Sequence, residues 1–127
     1  MMQEAVNSTR KPSPEILKSL LKQYWGFEQF RPLQLDIIEA AIAGEDVLAL
    51  LPTGGGKSLC YQLPAIAQAG CCLVISPLIA LMDDQVTRLL KVGIPAVALH
   101  AGIKGYEQRE IIEGIKNEEF KLIYCSP

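Results

Sequence analysis

The sequence predicts an α/β fold, a parallel sheet with helices on both faces. Three observations predict it. Short apolar runs recur at residues 47–51, 72–75, 96–99 and 121–125, with centres roughly 25 residues apart, one strand-plus-helix unit per period. Helical spacing fills the intervals: Ile79, Met82, Val86, Leu89 and Leu90 fall on one face, as do Ile111, Ile112 and Ile115. The runs are continuous rather than alternating, which marks strands covered on both sides. The units share no sequence, so the period is architecture and not a repeat family.

In chain order, residues 1–12 are polar and form a flexible tail. Residues 13–44 carry two helices. The first begins at Ser13-Pro14, an N-cap followed by a proline in the first turn, and stops near Gly26. Ile16, Leu17, Leu20, Leu21 and Tyr24 form its buried stripe. The second runs from about Pro32 to Ile42 and ends at Gly44. Residues 45–127 hold the strands, beginning with 47–51.

Between that first strand and a helix over residues 59–68 stands Pro52-Thr53-Gly54-Gly55-Gly56-Lys57-Ser58. Consecutive glycines let the backbone curl with its N–H groups inward, and the following helix adds its positive end. Strand, glycine-rich turn and helix in that order make a phosphate-binding loop. Thr53, Gly54, Gly55 and Gly56 form the cradle. Lys57 supplies a point charge for β- and γ-phosphates, and Ser58 a hydroxyl for Mg²⁺. The strict pattern has glycine where this chain has Leu51. A surface turn that merely precedes Lys-Ser does not explain the flanking strand and helix.

Lysines and arginines number 12 against 14 acids, for a net charge of −2. Any nucleic-acid contact must therefore come from local placement and not from an overall positive field. The apolar runs are too short to span a bilayer, and the N-terminus lacks the apolar core of a signal peptide, so the cytoplasm is the expected compartment. Cys60, Cys71, Cys72 and Cys125 have no metal or redox spacing and read as small buried hydrophobes in a reducing compartment. His100, the single histidine, reads as a polar strand-end residue. A phosphate-loop ATPase needs an acid at the end of a neighbouring strand. The later strands end in Ser76-Pro77, His100 and Ser126-Pro127. The expectation is a piece cut from within a larger nucleotide-binding domain.

The stretch from Leu21 to Gln34 resembles the adenine-reading motif of the RecQ DNA helicases: Leu21, Trp25 before Gly26, then Phe30, Arg31 and Gln34. The loop from Pro52 to Gln62 is similar to that family's phosphate loop, which tolerates an apolar residue at the position of Leu51. Ser76 to Val86 resembles the next motif, near the single-stranded DNA path. Leu122 to Pro127 looks like the start of a further one, cut before its acid. The resemblance spans about residues 15–127. It departs at Asp83, where family members often carry lysine, so Asp83 is not assigned to DNA.

The resemblance implies a RecA-like ATP-binding domain, most of the first of two, from an ATP-dependent 3′-to-5′ DNA helicase. ATP and Mg²⁺ are the implied cofactors, and single-stranded and duplex DNA the implied partners. Gln34 suits adenine because its amide both donates and accepts, the complement of N6 and N7. Phe27 can stack on the base, and Arg31 can cover a face or reach a phosphate. Tyr24 and Phe30 fit plain core packing. Without the acidic motif, the 127 residues are expected to bind nucleotide weakly, to hydrolyse none, and to self-associate or fold marginally. Two other readings stand beside this one: a different phosphate-loop enzyme such as a small kinase, and a non-catalytic nucleotide-binding module. ATPase activity with and without single-stranded DNA separates the enzymes from the module, and strand unwinding separates helicase from kinase.

Overall fold

The structure is a computed structural model that describes residues 11–52 and 56–127. Most of the expected tail and the cradle residues Thr53, Gly54 and Gly55 lie outside the described residues. The chain divides into two compact units, Met1–Ala69 and Gly70–Pro127.

Local signals set the helices of unit 1. Helix α1 spans Pro14–Trp25. Ser13 is extended, and its hydroxyl accepts from the Ile16 N–H at 3.3 Å. Pro14 occupies the first turn, where a missing N–H costs nothing. Gly26 turns left-handed at φ 77° and donates to the Lys22 carbonyl, closing the helix. Helix α2 spans Gln34–Ile42 and α3 spans Leu59–Ala67. Their buried side chains meet in one core of Leu17, Leu21, Ile38, Leu59 and Leu63. Full burial of each such side chain contributes about 1.5–3 kcal/mol. The expected α1 stripe is narrower than its pattern: Leu20 and Tyr24 are half-buried and Ile16 is exposed.

The strand expected at 47–51 does not form. None of the described ladders includes it, and a strand exists only through the hydrogen bonds of a neighbour. The segment keeps a two-residue alternation nonetheless. Val47, Ala49 and Leu51 line a groove of 480 Å³, while Leu48 and Leu50 are 88% and 83% exposed.

Unit 2 carries the sheet. Its elements are β1 (Cys72–Ile75), α4 (Ile79–Lys91), β2 (Ala96–Leu99), α5 (Gly105–Lys116) and β3 (Leu122–Cys125). The strands are parallel in the order β1-β3-β2, with Cys72 and Ala96 both opposite Leu122. The last strand is therefore central, and its Leu122, Ile123 and Tyr124 are buried. Helix α4 sets Met82 and Leu89 into the core and packs on β2 and β3. The helix α5 pattern is only partly used: Ile111 and Ile115 are half-buried and Ile112 is exposed. Gly114 is the buried residue of α5, because a Cβ there would stand 2.7 Å from the Phe120 ring. Coverage on both faces holds for β3 but not for β1, whose Leu73 and Ile75 are 59% and 63% exposed.

The cysteines divide where the sequence suggested uniformity. Cys60 is buried and Cys72 and Cys125 are half-buried, but Cys71 is exposed at the edge of β1. Burial pushes the Cys60 thiol up, and burial with the neighbouring Cys71 does the same for Cys72.

Candidate nucleotide-binding site

The described end of the segment expected to form a phosphate loop, Gly56-Lys57-Ser58, runs directly into α3. Ser58 already has helical backbone angles, and the N–H groups of Cys60 and Gln62 bond to the Lys57 and Ser58 carbonyls at 3.1 and 3.0 Å. The first turn of α3 contains no acid, so its positive end is not neutralised from within. Lys57 is exposed and also borders the 480 Å³ groove with Cys60 and Tyr61.

Gln34 opens α2 and is 3% exposed. Its Oε1 accepts from the Arg31 N–H at 2.7 Å, and its Nε2 donates to the Gly56 carbonyl at 3.2 Å. The Arg31 carbonyl in turn accepts from the Gln34 N–H at 3.1 Å. Between them Leu33 adopts the left-handed region at φ 73° with its side chain 57% exposed. A branched residue there costs about 1–2 kcal/mol, and nothing in its burial offsets that cost. The turn brings the Arg31 backbone against the Gln34 amide. Gly56, at φ 78°, completes the junction: a Cβ there would collide with Gln34 Nε2, and the Arg31 Cδ lies 3.9 Å away.

The structure thus brings Arg31, Gln34 and Gly56 together, with Lys57 and Ser58 next in the chain. Phe27 is 55% exposed and is not part of the unit 1 core. Phe30 packs against the core as the sequence suggested, and Tyr24 meets Trp25 edge-on at 6.1 Å. The backbone at Leu33 and the bond from Gln34 to Gly56 were not legible, since the second joins residues 22 apart. The glycine immediately before Lys57 was the one available signal.

In unit 2, Asp83 faces the end of β2. Its Oδ1 lies 3.5 Å from His100 Nε2, while His100 Nδ1 accepts from the Gly102 N–H at 3.1 Å. The strand-end histidine is therefore a turn clasp, and the departure at Asp83 has a partner within its own unit. Among the described residues no group of three or more His, Cys, Asp or Glu side chains is placed to hold a metal ion. Among the described residues no helix is long and apolar enough to cross a membrane.

The family model described as DEAD/DEAH box helicase matches residues 31–127, most of the chain. This chain belongs to the DEAD/DEAH box helicase family. Among curated proteins, this helicase-family chain is 42% identical over 111 residues to the ATP-dependent DNA helicase RecQ of Synechocystis sp., covering 87% of this chain and 23% of that one. It is 49% identical over 108 residues to the ATP-dependent DNA helicase Q-like 4B of Arabidopsis thaliana, covering 84% and 9%. The chain spans less than a quarter of the length of these relatives. In fold it matches a solved structure described as a hypothetical ATP-dependent RNA helicase from Sulfolobus tokodaii, with a TM-score of 0.68 at 18% identity, over 91% of this chain and 34% of that one.

Proposed function

We propose that the chain is the ATP-binding part of the first motor domain of a RecQ-type, ATP-dependent 3′-to-5′ DNA helicase. The observation that supports the reading is the hydrogen bond from Gln34 to the Gly56 carbonyl, which joins the residue we read as adenine-binding to the residue before Lys57. Gln34 makes one bond through each end of its amide and retains one lone pair and one N–H. Those are the groups that adenine's N6 and N7 require. Phe27 stacks on the base and Arg31 covers it or reaches a phosphate. Thr53, Gly54, Gly55 and Gly56 cradle the phosphates, and Lys57 neutralises charge on the β- and γ-groups. Mg²⁺ would take one oxygen from Ser58 and the rest from phosphates and water; when bound it spreads phosphate charge.

DNA, single-stranded and duplex, is the partner of the whole motor, and the cytoplasm its compartment. We also propose that the 127-residue chain self-associates, a reading supported by exposed Leu48 and Leu50 in unit 1 and by exposed Leu73 and Ile75 in unit 2, and sedimentation velocity over a concentration series measures it.

Lys57→Ala tests the assignment. The exposed ammonium packs against little, so the melting temperature should hold within a degree or two while affinity for a fluorescent ATP analogue falls at least about tenfold. Equal affinity in variant and wild type would remove Lys57 from the site. A large fall in melting temperature without nucleotide would make it structural.

A further inference from the structure

His100 is the single histidine, and its ring is held between two elements of unit 2. Its side chain is 8% exposed at the end of β2, whereas Asp83 on α4 is 61% exposed. Nδ1 accepts from the Gly102 N–H, so the proton of the neutral ring lies on Nε2. That proton is poorly used. Nε2 is buried without a hydrogen-bond partner, and Asp83 Oδ1 stands 3.5 Å away without the alignment of a hydrogen bond. A shared metal ion does not fit, because ligation through Nε2 would move the proton to Nδ1, against the Gly102 N–H.

A second proton reverses the balance. It can enter only at Nδ1, where it meets the Gly102 N–H, donor against donor. The Nε2–H then belongs to an imidazolium facing a carboxylate, a charge-assisted pair. The ring can serve the turn or the helix, not both. Gly102 leaves it little slack, since a Cβ there would lie 3.0 Å from His100 Cε1 and 3.1 Å from Nδ1. The turn is tied onward to α5, because the Ile103 N–H donates to the His100 carbonyl and Gln108 Nε2 to the Ile103 carbonyl, each at 3.0 Å. Among the described residues, Asp83 is the charged group within ion-pair distance of the ring. Asp84 pairs with Arg88 on its own helix at 3.3 Å. On α5, Arg109 turns to the Gly105 carbonyl at 3.5 Å, while Lys104, Tyr106 and Glu107 stand at the start of the helix. From β3, Cys125 lies opposite Leu99, one residue before the ring.

We propose that His100 is a proton-operated switch between the turn after β2 and helix α4. Uncharged, it holds the turn closed through Gly102. Charged, it releases the Gly102 N–H and engages Asp83. The switch lies wholly in unit 2 and does not rest on the nucleotide reading. It acts at the carboxyl end of β2, the edge where open parallel sheets present their binding loops. Acid loosens residues 100–103 at that edge and fastens α4 to it.

Nuclear magnetic resonance of the full chain tests this, and a single histidine makes the ring signals unambiguous. The titration runs from about pH 8 to about pH 5, the range in which imidazole changes charge. At the alkaline end the ring nitrogens should report a bare Nδ1 and a protonated Nε2. On acidification the hydrogen-exchange protection of the Gly102 amide, corrected for the intrinsic effect of pH, should fall about tenfold with the midpoint of the ring. Ring protons should gain Overhauser contacts with the Asp83 β-protons over the same range. The Cys72 amide, bonded to the Lys121 carbonyl at 2.8 Å, is the folding control and should keep its protection. His100→Gln, which accepts from Gly102 but takes no proton, should abolish the response. Asp83→Asn should keep the release of Gly102 and lose the acid-induced contacts with α4.

A proton on Nδ1 at the alkaline end overturns the proposal. So does a Gly102 amide that ignores the charge of the ring, or a response that survives in His100→Gln. Acid-induced contacts that persist in Asp83→Asn would remove Asp83 as the second partner. Parallel loss of protection at Cys72 means general loosening of unit 2 and counts against a local switch.

Discussion

In unit 1 the apolar segment 47–51 has no ladder partner, while in unit 2 three segments of similar length and composition pair into a parallel sheet. The difference is not in the segments. Leu48 and Leu50 are exposed in the first case. Leu122, Ile123 and Tyr124 are buried in the second because β3 has a strand on either side. A helix carries its hydrogen bonds with it, so Ser13 and Gly26 suffice to bound α1. A strand's bonds belong equally to its neighbour, and composition alone cannot supply the neighbour.

The two units also spend the same backbone conformation differently. Leu33 in unit 1 and Glu118 in unit 2 are the non-glycine residues with positive φ among the described residues. Glu118 follows α5, where its N–H and that of Glu119 satisfy the carbonyls of Ile115 and Gly114. That is an ordinary helix ending. Leu33 precedes a helix, where a left-handed residue ends nothing, and its cost is tied to Gln34.

Substitutions can break this contrast at different strengths. The largest effect is expected from Tyr124→Ala on the central strand, 2% exposed and held from both sides. It should cost about 3–5 kcal/mol in denaturant titration followed by circular dichroism. A loss under 1 kcal/mol would mean the sheet does not depend on its centre. Leu33→Gly should move stability the other way, by about 0.5 kcal/mol, since relief of the left-handed branched residue outweighs the extra freedom of the unfolded chain. A destabilised Leu33→Gly would show that the turn carries no strain. Leu50→Ala should lie within about 0.5 kcal/mol of wild type, as for an ordinary surface site. A loss comparable to that at Tyr124 would show that 47–51 is paired in solution.

Legibility follows the same division. Ser13-Pro14, Gly26, Ile42 and Gly44 announced the helix ends because capping is decided within four or five residues. The start of α3 directly after Gly56-Lys57-Ser58 was legible because the residues are contiguous, while the strand expected on the other side of the glycines is absent among the described residues. The strand at 47–51 misled because an apolar run fixes a face and not a partner. The uncovered face of β1 misled for a related reason, since the run of Cys72 to Ile75 says what should be covered and not by what. The Gln34 contact with Gly56 spans two helices' worth of chain, and the exposure of Cys71 depends on the position of a sheet edge. Neither has a local correlate.

The placement of the last strand between the first two has a consequence during synthesis. Among the described residues β1 and β2 acquire their ladder partner only once β3 has left the ribosome, because both ladders run through Leu122 to Cys125. At about 5–20 residues per second, Leu73, Ile75 and the backbone of both earlier strands spend several seconds unpaired. Unit 2 must then close two long loops in one event, so its assembly is late and cooperative. Unit 1, whose core is made of successive helices, can settle while the sheet is still being translated.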